Sequence, residues 1–296
     1  MRKLIIFIIT FLYLSMNINA QIITDWTDRS GIVQSWEEDE KTVASSWNET
    51  LEEFEETDDK LPDLTAEENL PAVEWTFITI NGKEVKVPSI IENGIDFYLM
   101  MEDGIRIYMA ANPTAFYEEI DSDTIRWIRY YAFSKRNYTA RLFSRFKKWE
   151  EYITLTMKAE NVPSEIGLLC LIESGCTATA KSNKGATGMW QFMPATAREM
   201  GLVVNEYSDQ RNDPIASTKA AAKYLKKCHN MLGNWTMTIA SYNCGIGRTN
   251  NIMVRHKTKN WAELKSSFPI ETQQYIPALQ AIQYVWTYKE KLGFEK

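Results

Sequence analysis

One carboxylate stands alone in a part of the chain that is otherwise rich in neutral hydrogen-bonding groups. Glu173 ends the apolar run 166–172, and no Asp or Glu follows it until Glu199. The loop after it carries glycines, hydroxyl groups, amides and aromatic rings. A carboxyl group that an apolar helix partly removes from water has a raised pKa, which suits a general acid near neutral pH. A single acid beside groups that suit sugar hydroxyls indicates cleavage of a glycosidic bond by one carboxyl group rather than by the usual pair.

The alternative for Glu173 is a purely structural residue at a helix end, solvated or paired with a backbone amide. Helix C-termini disfavour negative charge, so such a residue would be oddly placed. The following loop favours the chemical interpretation, because Gly185 and Gly188 let backbone approach a ligand closely. Ser182 and Gln191 carry groups that hydrogen-bond sugar hydroxyl and acetamido groups. Three apolar side chains would either line a subsite wall or pack in the core: Trp190, Phe192 and Met193.

Three motifs occur in order along the second half of the chain. The first reads Glu-Ser-Gly at 173–175, Gly-Ala-Thr-Gly at 185–188 and Gln-Phe-Met-Pro at 191–194. The second reads Ser-Tyr-Asn-Cys-Gly-Ile-Gly-Arg at 241–248, and the third Glu-Thr-Gln-Gln-Tyr-Ile-Pro at 271–277. Together they resemble the signatures of lytic transglycosylases of the goose-lysozyme-like superfamily, in particular the murein transglycosylase D group. The resemblance covers about residues 122–296.

The resemblance implies a mostly helical, lysozyme-like fold with a groove for peptidoglycan glycan strands. By position, Glu173 is then the catalytic acid and afterwards the base. The corresponding groove or subsite positions are Ser182, Gln191, Met193, Tyr242, Asn243 and Tyr275. Family members cleave between N-acetylmuramic acid and N-acetylglucosamine without water and leave a 1,6-anhydro end, so no second carboxylate is needed. For Tyr242, a hydroxyl that orients Glu173 or a sugar competes with simple packing.

Two alternatives to this activity stay open. A muramidase would deliver water instead of the sugar hydroxyl, with a base supplied by an acid outside the core motif: Glu199, Glu206, Asp209 or Asp213. A catalytically idle peptidoglycan-binding scaffold would keep the groove, although the retained Glu173 argues against it. The murein transglycosylase D group often carries C-terminal LysM modules, and we expect this chain to lack them.

The four cysteines offer three disulfide pairings. Cys176 and Cys244 stand in two motifs that the resemblance places on either side of the groove, at positions that are usually apolar or small. We therefore expect a Cys176–Cys244 disulfide, with two buried thiols as the alternative. Cys170 and Cys228 lie on apolar helix faces and should fill the core. With only two histidines and no CxxC spacing, we expect no metal site and no cofactor.

These residues must be positioned by helices. Apolar residues recur at three- and four-residue steps from Ser122 to Met157, and Pro163 to Ser174 forms a further helix that Gly175 ends. We predict more helices from Pro214 to Gly233, from Trp235 to Tyr242 and from Thr272 to Leu292. Residues 72–121 differ, because Asn-Gly at 81–82 between alternating apolar runs predicts a β-hairpin. A second strand pair is expected around residues 102–104, between 95–98 and 105–109.

The N-terminal part indicates export. Arg2 and Lys3 precede the apolar run 4–14, and Ala20 offers a cleavage site, so residues 1–20 read as a signal peptide; a retained anchor is the alternative. Residues 21–71 are acidic and read as a linker or partly helical segment, or as a docking segment for an envelope protein. We expect a periplasmic or envelope protein with no stable membrane insertion after signal cleavage.

Charge is unevenly distributed between the halves. Residues 1–150 hold 16 Lys and Arg against 27 Asp and Glu, whereas residues 151–296 hold 17 against 12. The mildly basic C-terminal half suits an anionic polymer, although plain solubility explains it equally well. It has no dense basic stripe, which argues against nucleic acid. The sequence thus predicts a mainly α protein with an acidic segment, a small β element at 72–121 and a lysozyme-like domain at 122–296.

Overall fold

The computed structural model describes residues 73–92, 94–116 and 120–295. The predicted signal peptide and the acidic segment therefore lie outside the described residues. Within those ranges, none of the helices is both long enough and apolar enough to cross a membrane. The described chain is mainly helical with one small antiparallel sheet, which confirms the predicted fold class.

The predicted hairpin is confirmed. Strand β1 (Val73–Ile80) pairs with β2 (Lys83–Glu92), and Ile80 lies opposite Lys83. Asn81 and Gly82 form the two-residue turn with φ of 50° and 76°. Positive φ at both positions is what the tight hairpin turn needs, and Asn and Gly adopt it at little cost. A two-residue strand β3 (Ile95–Asp96) completes the sheet on the other side of β2.

The second predicted strand pair is wrong, because the chain turns helical directly after β3. A 3-10 turn covers Phe97–Met100, and helix α1 spans Glu102–Ala111. The buried carboxylate of Asp96 ends the strand, because it accepts hydrogen bonds from the backbone of Tyr98 (3.2 Å) and from Ser89 Oγ (2.7 Å). Two acids in the first turn of α1 suit a helix N-terminus. Gly104 packs where a Cβ would lie 1.8 Å from the Tyr98 carbonyl oxygen.

The predicted helices are present, with different bounds. Ser122 to Met157 divides into α2 (Ser122–Arg129), α3 (Arg136–Lys147) and α4 (Glu150–Ala159). A wider turn separates α2 from α3, because the amide of Lys135 donates to the carbonyl of Tyr130, five residues back, at 2.8 Å. The remaining helices are α5 (Leu169–Ser174), α6 (Pro194–Glu199), α7 (Pro214–Leu232), α8 (Trp235–Cys244), α9 (Ile246–His256), α10 (Trp261–Leu264) and α11 (Ile270–Thr287).

Capping explains several of these bounds. The Asp213 carboxylate accepts from the amides of Ile215 (2.8 Å) and Ala216 (3.2 Å), so α7 begins as predicted. Gly233 ends α7 with φ of 64°. The run after Pro163 is a 3-10 turn (Ser164–Leu168) before it becomes α5, and the closing helix ends at Thr287 rather than Leu292.

Helix α11 is the element around which the candidate site is assembled. It packs against α2 and α8, and its sequence Ile276–Val285 is buried. Thr124 on α2 donates its hydroxyl hydrogen to buried Gln280 on α11 at 2.9 Å. The N-terminal half of α11 therefore lies in a set position beside α5, which carries Glu173.

Candidate active site

Glu173 lies in the last turn of the short helix α5, and its side chain is only partly exposed. Burial raises the pKa of its carboxyl group to about 8, and the negative charge of Glu271 adds to this rise. A hydrogen bond from the Tyr275 hydroxyl to Glu173 Oε1 acts in the opposite direction, because it stabilises the charged carboxylate. Near neutral pH, Glu173 is therefore a largely protonated acid held by one neighbour.

Tyr275 and Tyr242 reach this region from different helices, and their hydroxyl groups donate to different acceptors. Tyr275 on α11 donates to Glu173, whereas the Tyr242 hydroxyl on α8 donates to the carbonyl of Trp190 at 2.8 Å. Tyr242 still lies close enough for the charge of Glu173 to contribute to its strongly raised pKa, whose main cause is burial. The structure thus gives the orienting hydroxyl to Tyr275, while Tyr242 holds the backbone of the loop that follows α5.

Sequence reasoning missed a second carboxylate near Glu173. Glu271 lies one helical turn before Tyr275 on α11 and is exposed. Asn243 donates its amide hydrogen to Glu271 Oε1 at 3.2 Å and accepts a hydrogen bond from the Thr272 hydroxyl at 2.6 Å. The spacing of Glu271 and Tyr275, four residues apart on one helix face, was the signal that could have found it.

Hydrogen bonds from side chains within the loop and next to it shape the backbone from Cys176 to Met193. Ser182 Oγ accepts from the amide of Ala186 at 2.9 Å, and Gln191 Nε2 donates to the carbonyl of Gly188 at 2.8 Å. The buried hydroxyl of Ser174 donates to the carbonyl of Met189 at 2.8 Å, which ties the loop to the end of α5. These bonds set the path of the backbone beside Glu173.

Two of the three apolar loop residues are not available to a ligand. Trp190 is fully buried and donates its indole hydrogen to Thr218 at 2.9 Å, and Phe192 is buried as well. The interpretation of these two rings as a subsite wall is therefore wrong, because both belong to the core under the loop. Met193 differs, since 44% of it is exposed.

Arg211 holds this loop at its middle and near its C-terminal end, a role that the sequence did not reveal. Its buried guanidinium donates to the carbonyls of Gly185 (2.7 Å) and Phe192 (2.9 Å) and forms an ion pair with Asp209 at 2.7 Å. The hydrogen bonds from Arg211 lower the pKa of the Asp209 carboxyl. Gly188 packs against the same segment, where a Cβ would lie 1.8 Å from the Arg211 carbonyl oxygen.

Three of the four acids considered as a second base have other partners. Glu199 forms an ion pair with Lys227, Asp209 pairs with Arg211, and Asp213 caps α7. Glu206 is exposed. In the described ranges, no three His, Cys, Asp or Glu side chains come together as a metal site would require.

The predicted Cys176–Cys244 disulfide is not formed, and all four cysteines are free thiols. Cys176 Sγ lies 3.3 Å from Cys170 Sγ instead, and Cys244 Sγ lies 3.4 Å from Thr249 Oγ1. The chain turns back on α5 directly after Gly175, so Cys176 faces the start of its own helix. Cys170 and Cys228 are buried, which confirms their placement in the core.

A family model matches the part of the chain that carries Glu173, and two curated proteins are similar to this chain in sequence. Residues 151–264 match the family model "Transglycosylase SLT domain". "Membrane-bound lytic murein transglycosylase D" of Escherichia coli (strain K12) is 30% identical over 176 residues, which cover 58% of this chain and 39% of that protein. "Peptidoglycan transglycosylase gp16" of Escherichia phage T7 is 40% identical over 81 residues, or 27% of this chain and 6% of that protein.

The soluble lytic transglycosylase SLT70 from Escherichia coli aligns with a TM-score of 0.43 and 18% identity, covering 68% of this chain and 35% of that chain. The chain spans 39% of the length of the murein transglycosylase D that it matches.

Proposed function

We propose that the protein is a peptidoglycan lytic transglycosylase, because residues 151–264 match the transglycosylase SLT domain and 176 residues are 30% identical to lytic murein transglycosylase D. Its single general acid and base is Glu173. The observation that carries the proposal is a partly buried carboxyl group with a pKa near 8 whose Oε1 is held by Tyr275. We place the activity in the cell envelope, where peptidoglycan lies, after export of the chain.

In the first step, Glu173 gives its proton to the oxygen that joins N-acetylmuramic acid to N-acetylglucosamine. Because Oε1 accepts the hydrogen bond from Tyr275, the proton to be transferred lies on Oε2. The glycosidic bond breaks with its electrons going to the departing sugar, which leaves as an alcohol. Glu173 becomes a carboxylate, and the Tyr275 hydrogen bond stabilises that charge.

In the second step, the C6 hydroxyl of the muramyl residue attacks its own C1, and the Glu173 carboxylate takes the hydroxyl proton. The product is a 1,6-anhydro end, and the acid returns to its starting state with no water consumed. An attack within one sugar needs only that the hydroxyl be held near C1, which can lower the barrier by several kcal/mol. We assign this positioning to the groove residues of the sequence motifs: Ser182, Gln191, Met193, Tyr242 and Asn243.

One observation favours a hydrolytic alternative. Glu271 is an exposed carboxylate close enough to raise the pKa of Glu173, and Asn243 orients it. A muramidase would use such a group to activate a water molecule. The transglycosylase proposal instead assigns Glu271 to keeping Glu173 protonated.

The experiment is digestion of purified sacculi by the full chain, followed by mass analysis of the released fragments. Anhydro ends are lighter than reducing ends by one water, so the product mass separates the two activities. Glu173→Gln should abolish cleavage and leave binding to sacculi intact. Glu206→Gln, which changes an exposed acid of the same half, should cleave normally. Release of muropeptides by Glu173→Gln at the unmodified rate would refute the assignment of the acid, and reducing ends would identify a muramidase.

A further inference from the structure

Cys170 and Cys176 lie three residues before and three residues after Glu173 in the sequence, and their sulfur atoms are in contact. Cys170 Sγ and Cys176 Sγ are 3.3 Å apart, and both side chains are buried. The backbones are joined as well, because the amide of Cys176 donates to the carbonyl of Cys170 at 2.9 Å. The pair therefore spans the last turn of α5 and the reversal at Gly175.

The other two cysteines have different neighbours. Cys244 Sγ lies against the Thr249 hydroxyl, and buried Cys228 lies close to the side chains of Ser241 and Tyr224. Neither is in contact with another sulfur among the described residues. The chain thus contains one thiol pair in contact and two thiols that make separate contacts.

We propose that Cys170 and Cys176 form a disulfide when the chain folds in the presence of a disulfide oxidant. One thiolate attacks the oxidant's disulfide and releases one of its sulfurs as a thiol. The second cysteine then displaces the other oxidant sulfur, so that two electrons and two protons pass to the oxidant, which ends as two thiols. The two sulfurs need to approach by about 1 Å, which small side-chain rotations provide.

The timing follows from burial. Cys170 is fully buried in the folded chain, and that burial raises the pKa of its thiol, so little reactive thiolate exists once the core has closed. The bridge forms while α5 and its following turn are still open to solvent. After folding, the same burial protects the bridge from reductants.

The bridge would act on the backbone next to Glu173. Gly175 and Cys176 have φ of 57° and 60°, and positive φ is unfavourable for a residue with a side chain such as Cys176. A covalent tie to Cys170 holds this turn closed and keeps the end of α5 in place. The bridge should raise the midpoint of thermal unfolding by about 5 °C relative to the reduced chain.

The test counts thiols in the full chain. The reduced chain is unfolded and then refolded with glutathione disulfide. Thiol exchange is stopped in denaturant with an alkylating reagent, and the mass of the chain is measured by mass spectrometry. We expect two alkyl groups without reductant and four after reduction, with the cross-linked peptide joining Cys170 to Cys176. The count is repeated on a second preparation, so that the answer does not depend on refolding. In this preparation the folded chain is purified in the presence of reductant and then exposed to glutathione disulfide in mild denaturant.

Matched variants separate the pairings. The double variant Cys228→Ala, Cys244→Ala should still lose both remaining thiols on oxidation, whereas Cys170→Ala should keep all three of its thiols. Four alkylated cysteines in both preparations of the unmodified chain, or a cross-link that includes Cys228 or Cys244, would overturn the proposal.

Discussion

Two neighbours act on the carboxyl group of Glu173 in opposite directions. Tyr275 stabilises the charged form by a hydrogen bond, and Glu271 disfavours it by its negative charge, while burial contributes the largest effect. In the proposed reaction, the protonated form starts the cycle, so activity should fall as the pH rises through the pKa of Glu173. This fall is the alkaline limb of the pH–rate profile. A shift of the limb on mutation of Tyr275 or Glu271 therefore measures the effect of that residue on the pKa of Glu173.

Tyr275→Phe removes the hydrogen bond and keeps the ring. Because that bond lowers the pKa of Glu173, its loss should move the alkaline limb of the cleavage rate to higher pH. The maximal rate should fall about ten- to a hundredfold, since a hydrogen bond to a charged group is lost when Glu173 ionises. The measurement is the rate of sacculus digestion across pH 5 to 10. A limb that stays in place or moves to lower pH would contradict the role given to Tyr275.

Glu271→Gln should move the alkaline limb to lower pH. Removing the negative charge takes away one cause of the raised pKa, so Glu173 should ionise at lower pH. The Gln side chain can still accept the hydrogen bond that Asn243 donates to Glu271. Glu199→Gln is the control, because it removes a charge that is paired with Lys227. If Glu271→Gln abolished turnover at every pH, Glu271 would be a catalytic base, and this result would favour the muramidase alternative.

The sequence predicts Glu173 as the candidate acid but does not predict its surroundings. An acid at the end of an apolar run is visible in the sequence, and so are the tyrosines of the motifs. Which tyrosine reaches the acid depends on how α8 and α11 pack, and the sequence analysis considered an orienting role only for Tyr242. The cysteine pairing was wrong for a similar reason. The motifs indicated that two loops meet at the groove, but not that Cys176 turns back toward Cys170.

Among the elements, the loop from Cys176 to Met193 depends on contacts from outside itself. Arg211 donates to carbonyls in its middle and near its C-terminal end, and Gly188 packs directly on the backbone of Arg211. This arrangement lets two glycines with the same φ be compared. Gly185 and Gly188 both have φ of 87°, but a Cβ on Gly185 would meet nothing within 4 Å.

Gly188→Ala should therefore destabilise the protein far more than Gly185→Ala. Alanine at Gly185 bears only the strain of a positive φ, about 1–2 kcal/mol. Alanine at Gly188 adds a collision with backbone that cannot move alone, so a loss of more than about 3 kcal/mol is expected. Denaturant unfolding of both variants measures the difference. Equal losses would show that the contact between Gly188 and Arg211 is not tight in solution.

Elements with strong local signals were predicted well, and those shaped by tertiary contacts were not. The Asn-Gly turn and the Asp-Pro start of α7 are determined by a few adjacent residues, and both are present. Helix α1 was mistaken for a strand, because its apolar residues are also typical of strands. The deciding contacts come from Asp96 and from the packing of Gly104 on Tyr98. The wide turn between α2 and α3 has no comparable local signal.

Over the whole molecule, the β element and the helices share one core. The sequence suggested a boundary near residue 121, where the pattern changes from strands to helices. Yet the Tyr284 hydroxyl on α11 donates to the carbonyl of Leu99 at 2.9 Å, and Tyr288 donates to that of Tyr108 at 2.8 Å. The amide of Asp96 also donates to the carbonyl of Lys291 at 2.9 Å. The C-terminal end of α11 is thus covered by residues 95–109.

Truncation to residues 120–296 should for this reason weaken the helical part, although it keeps every motif residue. It uncovers Tyr284 on α11, which is buried in the full chain and donates to the carbonyl of Leu99. It also removes Tyr108, whose ring packs edge-on against that of Tyr288 with the ring centroids 5.0 Å apart. Since α11 also supplies Tyr275, loosening it should lower both the unfolding temperature and the rate of glycan cleavage.

Calorimetry of the truncated and full chains, with binding of an apolar dye, measures the effect. Removal of residues 1–72 alone is the matched control, because it keeps all the residues that the structure describes. The truncated chain should unfold at least several degrees lower and bind the dye. If 120–296 unfolded at the same temperature as the full chain, the contacts of Tyr284 and Tyr288 with the β element would add no stability. Residues 73–116 would then be a separate module, as the change of sequence pattern near residue 121 suggests.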